Sequence, residues 1–256
     1  DLNKMVECNT MMGDIFKDNN SIPTAISYYE KVNEDLIKMN DYYSACKMYI
    51  KIAKLYQNSE FDSKWSFEAM NKAIKCATTS NDKTLFTEIN LTLGDLNFSL
   101  HRYDEAIKYY NYVINNNIDR NTIHLISGAL TNKARVLLQK KEYEQAHNAI
   151  DSSIYMCIRN FNDSLLIKNY SYKAAVFDSV GNYEMAMKYY KQSIELSYST
   201  RFFDDCAENM FNLAFLYKKN ERYDEAIDVL KIICDRPCNL YGRRIYRGRG
   251  TTGGCY

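Results

Sequence analysis

The sequence predicts an all-α fold made of repeated antiparallel helix pairs, and three aligned columns of residues predict it. Ala106 recurs as Ala146, Ala186 and Ala226 in steps of 40 residues. Tyr103 recurs as Tyr143, Tyr183 and Tyr223, and Gly94 as Ala134, Ala174 and Ala214, on the same step of 40. Columns in phase over four copies mark stacked supersecondary units, each too small to bury its own apolar face alone.

Each unit reads as helix, short turn, helix. Ile89, Leu93, Leu96 and Leu100 follow the three-and-four spacing of an amphipathic helix. The turn His101-Arg102 follows, and Tyr103, Ala106, Ile107, Tyr110 and Ile114 resume the spacing. Asp104 and Glu105 open the second helix, where a negative charge meets the positive end of the helix dipole. Glu144, Glu184 and the pair Asp224-Glu225 hold the same place in later copies. First helices close on bases or turn formers such as Lys140-Lys141, Gly181-Asn182 and Lys218-Lys219. Small residues twelve apart, Gly94 with Ala106 and its repeats, let the two helices of a pair approach closely, and the second-helix tyrosine covers the joint with its hydroxyl in water.

Upstream the grammar continues less regularly. Gly13 and Ala25 are twelve apart, with Pro23 in a helical first turn, where its missing N–H does no harm. Ala53 and Ala69 are sixteen apart, which reads as a four-residue insertion between Gln57 and Lys64. The result is about six helical pairs over 1–234, with caps supplied by polar links such as Ser80-Asn81-Asp82 and Asn162-Asp163.

A small residue, eleven others and a second small residue, with Tyr three before the second and an aromatic or aliphatic four after it, resembles the tetratricopeptide repeat (TPR) family over residues 1–234. The interval of 40 is longer than the common one, and resembles the subgroup of bacterial peptide-sensing regulators and polarity adaptors. The resemblance implies a right-handed α-solenoid superhelix whose concave groove is lined by first helices. It also implies which positions face that groove: Lys47, Lys51 and Lys54 in the second unit, then Asn132, Arg135, Lys168, Tyr172 and Asn212. Asparagine amides can both donate to and accept from an extended peptide. The alternative is that these are solvated face residues. The lysine and asparagine clamp by which some TPR domains hold a chaperone's C-terminal carboxylate is not matched.

Composition sets the outer bounds. The net charge of +1 over 256 residues gives no electrostatic argument for a membrane or nucleic acid as partner. Residues 235–256 hold five of the 11 arginines and five of the nine glycines, with no helical period. This Arg/Gly-rich tail is expected to be disordered or non-native; a basic arm is the sharper alternative. Eight cysteines, most set singly in helical patterns, read as buried apolar residues of a cytoplasmic protein. Cys234, Cys238 and Cys255 lack a fourth ligand and a nearby histidine, so no metal and no cofactor is expected. His101 reads as solvated and His147 as half-buried and hydrogen-bonded.

The expected function is non-catalytic binding of a protein or peptide by a helical-repeat scaffold. Two rivals stand beside it: the sensor half of a larger signalling regulator, motivated by the absence of an initial Met, and an RNA-binding repeat using the basic tail. Oligomeric state is not legible.

Overall fold

The computed structural model describes residues 1–59, 63–116 and 123–235. Twelve helices follow one another, with no strand among the described residues. They are α1 (Leu2–Asp18), α2 (Ile22–Lys38), α3 (Tyr42–Gln57), α4 (Ser63–Ser80), α5 (Lys83–Ser99), α6 (Tyr103–Asn116), α7 (Ile123–Gln139), α8 (Tyr143–Arg159), α9 (Asp163–Ser179), α10 (Tyr183–Ser199), α11 (Phe203–Lys219) and α12 (Tyr223–Asp235). The loop Gln57–Lys64, where the insertion is expected, joins α3 to α4, and its residues 60–62 lie outside the described residues, as does the tail from 236.

The chain divides into two compact units between Val136 and Leu137. In the first, α1 packs on α2, α3 on α4 and α5 on α6, while α3 also meets α5. In the second, α9 packs on α10 and α11 on α12, and α9 meets α11. Within each unit, then, a first helix touches both its own partner and the next first helix.

The small columns sit at the closest approaches. Ala25, Ala53, Ala106, Ala134, Ala146, Ala174 and Ala186 have no exposed surface. Gly94 and Gly13 are tighter still. A Cβ at Gly94 would stand 2.4 Å from Cε1 of Tyr110, and one at Gly13 would stand 2.4 Å from Cε1 of Tyr29. The two rings pack directly against glycine and are fully buried.

Caps follow the sequence closely. Asp82 accepts from the Thr84 amide at 2.8 Å and Asn162 from the Leu165 amide at 3.2 Å. The turns hold a difference. Nearly every turn after a helix uses a left-handed residue, yet only Gly181 among them is glycine. Asn20, Asn40, Asn81, His101, Lys141, Phe161, Arg201 and Glu221 all have φ between 52° and 64°. At Asn20, Asn40, His101, Lys141, Phe161, Arg201 and Glu221 the following amide reaches back five residues: Arg102 N to Asn97 O, Glu142 N to Leu137 O and Arg222 N to Tyr217 O are 2.9–3.0 Å.

Candidate functional site: the first-helix face

The face expected to line a groove is built by residues around the small column. In the first unit it carries a repeated tie. Asp14 follows Gly13 on α1 and Asp95 follows Gly94 on α5. Tyr29 Oη donates to Asp14 Oδ1 at 2.7 Å, and Tyr110 Oη donates to Asp95 Oδ1 at 2.6 Å. A third side chain reaches each carboxylate from the next first helix, 37 residues on. Lys51 Nζ lies 2.6 Å from Asp14 Oδ1, and Asn132 Nδ2 lies 2.8 Å from Asp95 Oδ1.

The two carboxylates titrate in opposite directions. The hydrogen bond from the Lys51 ammonium, aided by Tyr29 and by the charge of Lys17, holds Asp14 below its usual value. Burial lifts Asp95 above its usual value, outweighing the Tyr110 and Asn132 hydrogen bonds and the charges of Arg135 and Lys54. Burial is the largest effect at Asp95, and the hydrogen bond from the Lys51 ammonium is the largest at Asp14. Burial, followed by the adjacent carboxylate, keeps both tyrosines far above the ordinary phenol range, so both stay neutral donors.

The other predicted positions divide. Lys47 pairs with Glu88 of α5 and sits 5.5 Å from the centroid of the Tyr43 ring. Lys51 also lies 4.3 Å over the Tyr29 ring. Arg135 stacks 4.1 Å over Phe98, and its buried Nε lacks a hydrogen-bond partner. Lys54 and Lys168 are exposed, while Tyr172 and Asn212 are half-buried. Thus Lys47, Lys51 and Asn132 already bridge neighbouring helices of the first unit, and Lys54 and Lys168 stand in water.

Sequence reasoning missed a second set of ties. Lys173, with only 9% exposed, pairs with Asp151 on α8 and lies 5.0 Å over the Tyr189 ring. Lys133 Nζ bonds Asn111 Oδ1 at 2.8 Å over the same sequence separation of 22. The signal was a lysine one residue before the small column in both copies.

Two clefts open near these residues. One of about 410 Å³ is floored by Val6, Val32, Leu36 and Met48, with Lys47 and Lys51 at its edge. The other, about 320 Å³ and nearly all apolar, lies between α11 and α12 at Phe211, Phe215, Ile227 and Leu230. Leu230 is 38% exposed, whereas its counterparts Tyr190 and Ile150 are buried. His101 is an exposed turn residue, and His147 is half-buried, with Nδ1 3.4 Å from Asp151 Oδ2. Among the described residues, no group of three His, Cys, Asp or Glu could hold a metal, and no helix is long and apolar enough to cross a membrane. Cys238 and Cys255 lie outside the described residues.

Residues 3–164 match the family model of the soluble NSF attachment protein, SNAP. The chain belongs to the soluble NSF attachment protein family. Two further segments of this SNAP-family chain, 171–200 and 207–231, match the tetratricopeptide repeat. No curated protein sequence matches it.

Its fold is shared with several solved structures. A STAND protein with a tetratricopeptide repeat sensor from Pyrococcus horikoshii superposes with TM-score 0.72 at 14% identity, over 89% of this chain and 35% of that one. The apo quorum sensor NprR from B. thuringiensis gives 0.66 at 13%, over 92% and 77%. A Rap protein complexed with competence and sporulation factor gives 0.62 at 12%, over 90% and 75%. The SNAP-family chain therefore spans about a third of the length of the STAND protein. At these identities the likeness is one of fold.

Proposed function

We propose that this SNAP-family chain is a non-catalytic, cytoplasmic adaptor that binds a protein or peptide along its first helices. The observation that carries the reading is the cleft at α1, α2 and α3. Its apolar lining of Val6, Val32, Leu36 and Met48 takes an aliphatic side chain, and a neighbouring carboxylate of the ligand competes with Glu88 and Asp14 for the ammonium groups of Lys47 and Lys51. Lys54, Asn132, Arg135, Lys168, Tyr172 and Asn212 are the further contacts proposed along the same column of positions. Helices fixed before binding lose little conformational freedom on contact, which favours affinity. The family name itself describes attachment to another protein.

The test is selection of peptides on the immobilised chain, followed by hydrogen exchange of the complex. Selected peptides should be acidic and apolar and should slow exchange in α1 and α3, and Met48→Glu should abolish their binding. Peptides that bind equally well to the Met48→Glu chain would remove the cleft from the mechanism.

A second reading is favoured by the likeness to the STAND sensor and to a Rap protein bound to a factor: the array is the sensor part of a larger regulator. On that reading a bound peptide changes the compactness of the array, which small-angle scattering with and without the selected peptide detects. Unchanged scattering would leave the adaptor reading alone.

A further inference from the structure

We infer that the chain has a second binding site, for a lysine side chain of a protein partner, in an aromatic box where α2, α3 and α4 meet. The box goes beyond the proposed cleft and lies on another side of α3. Its α3 residues, Tyr49 and Tyr56, alternate in helical angle with Lys47, Lys51 and Lys54, and at 100° per residue the two sets point away from each other.

A cavity of about 30 Å³ is lined by Tyr49, Tyr56 and Trp65 together with Glu30, Glu68 and Lys72. Tyr56 and Trp65 stack, with centroids 6.3 Å apart and planes at 26°. Ring faces attract a cation through their quadrupole, and carboxylates at the rim add charge attraction. Burial raises the phenols of both tyrosines, and the charge of Glu30 adds to it, after Cys76 at Tyr49 and next to burial at Tyr56.

Lys72 shows the kind of group the box takes. Its Nζ lies 3.6 Å from Glu68 Oε1 and 5.9 Å from the Tyr49 centroid. Both distances are long: the first exceeds a hydrogen bond, and the second is at the limit of a cation–π contact. The Lys72 side chain is 45% exposed and can withdraw into water. Two carboxylates against one ammonium leave the lining one negative charge in excess. A cavity of about 30 Å³ has room for a group the size of a water molecule, such as an ε-ammonium.

Trp65 is the sole tryptophan and reports occupancy directly. The probe is an acetylated octapeptide of alternating glycine and lysine, titrated into the full chain while Trp65 fluorescence is followed. The expected result is a saturable change. Lys72→Ala, which removes the internal competitor, should tighten binding by about 3-fold or more, and Glu30→Gln with Glu68→Gln should weaken it by about 5-fold or more. Lys47→Ala, in the other cleft, should leave the response unchanged, which separates this site from the proposed function. Both glutamates are solvent-accessible, and unchanged circular dichroism confirms that their variants fold. No saturable response, a response that survives the double glutamine variant, or weaker binding by Lys72→Ala would overturn the site.

Discussion

Tyr110 packs directly against Gly94, and its hydroxyl donates to the next residue, Asp95, at 2.6 Å. Tyr29 repeats the arrangement on Gly13 and Asp14. One ring thus reads two neighbouring residues of the opposite helix: it needs the first to lack a side chain and the second to have a carboxylate.

Gly94→Ala should destabilise the chain by about 1–3 kcal/mol, because the new methyl meets a fully buried ring rather than a flexible tip. Gly128→Ala is the contrast. That glycine is also inside a helix, but its Cβ would come no closer than 4.0 Å to Leu91 Cδ2. It should stabilise by roughly 0.5–1 kcal/mol through helix propensity. Urea denaturation of the two variants checks both signs.

Asp14 and Asp95 should respond oppositely to acid. The depressed Asp14 contributes stability that is present above its unfolded value of 3.8 and is lost as pH falls through its folded value. The raised Asp95 takes up its proton in the folded state first, so its contribution declines as pH rises through its folded value. Asn132→Lys places an ammonium where Asp14 already has one, and should move Asp95 downward. Carboxyl carbon NMR titration of the wild type and the variant reads the two directions.

The left-handed turns are sites of stored strain. An L residue there costs about 1–2 kcal/mol, partly offset by the extra freedom glycine brings to the unfolded chain. Lys141→Gly and Glu221→Gly, at φ 62° and 59°, should therefore stabilise by about 0.5–1 kcal/mol each. Gly181→Ala, at φ 80°, should destabilise. Thermal melts of the three variants test the pattern.

Lys173→Ala should cost about 1–3 kcal/mol, since it strips Asp151 of a partner and empties a nearly enclosed place over Tyr189. Lys108→Ala breaks a pair with Glu105 that stands open to water, with side chains 76% and 51% exposed. It should change stability by less than about 0.5 kcal/mol. Chemical denaturation of both variants measures the difference.

The helix pairs were legible because a residue such as Ala106 or Ala186 must be small wherever two helices meet closely, and the requirement returns with every unit. Partnership was less legible. Lys51 and Asn132 were placed on the first-helix face by their position relative to the small column, but their partners Asp14 and Asp95 stand 37 residues earlier. Only the stacking distance of one unit on the next brings them together, and a pattern within one unit does not contain that distance. Lys173 was missed for the same reason. The left-handed conformations of Lys141, Phe161 and Arg201 left no mark because these are not left-handed residues by type, unlike Asn20, Asn40 and Gly181; backbone bonds reaching back from the following residue hold them.

The shared carboxylates give the face a property beyond adhesion. Any incoming donor that engages Asp95 competes with Asn132, and any that engages Asp14 competes with Lys51. An occupant therefore takes over a link between adjacent layers as it settles. The seam that links α1 to α3 and α5 to α7 lies on the face proposed for binding, so on that proposal an occupant exchanges an interlayer link for a contact of its own, much as a clasp opens when the finger replaces its pin.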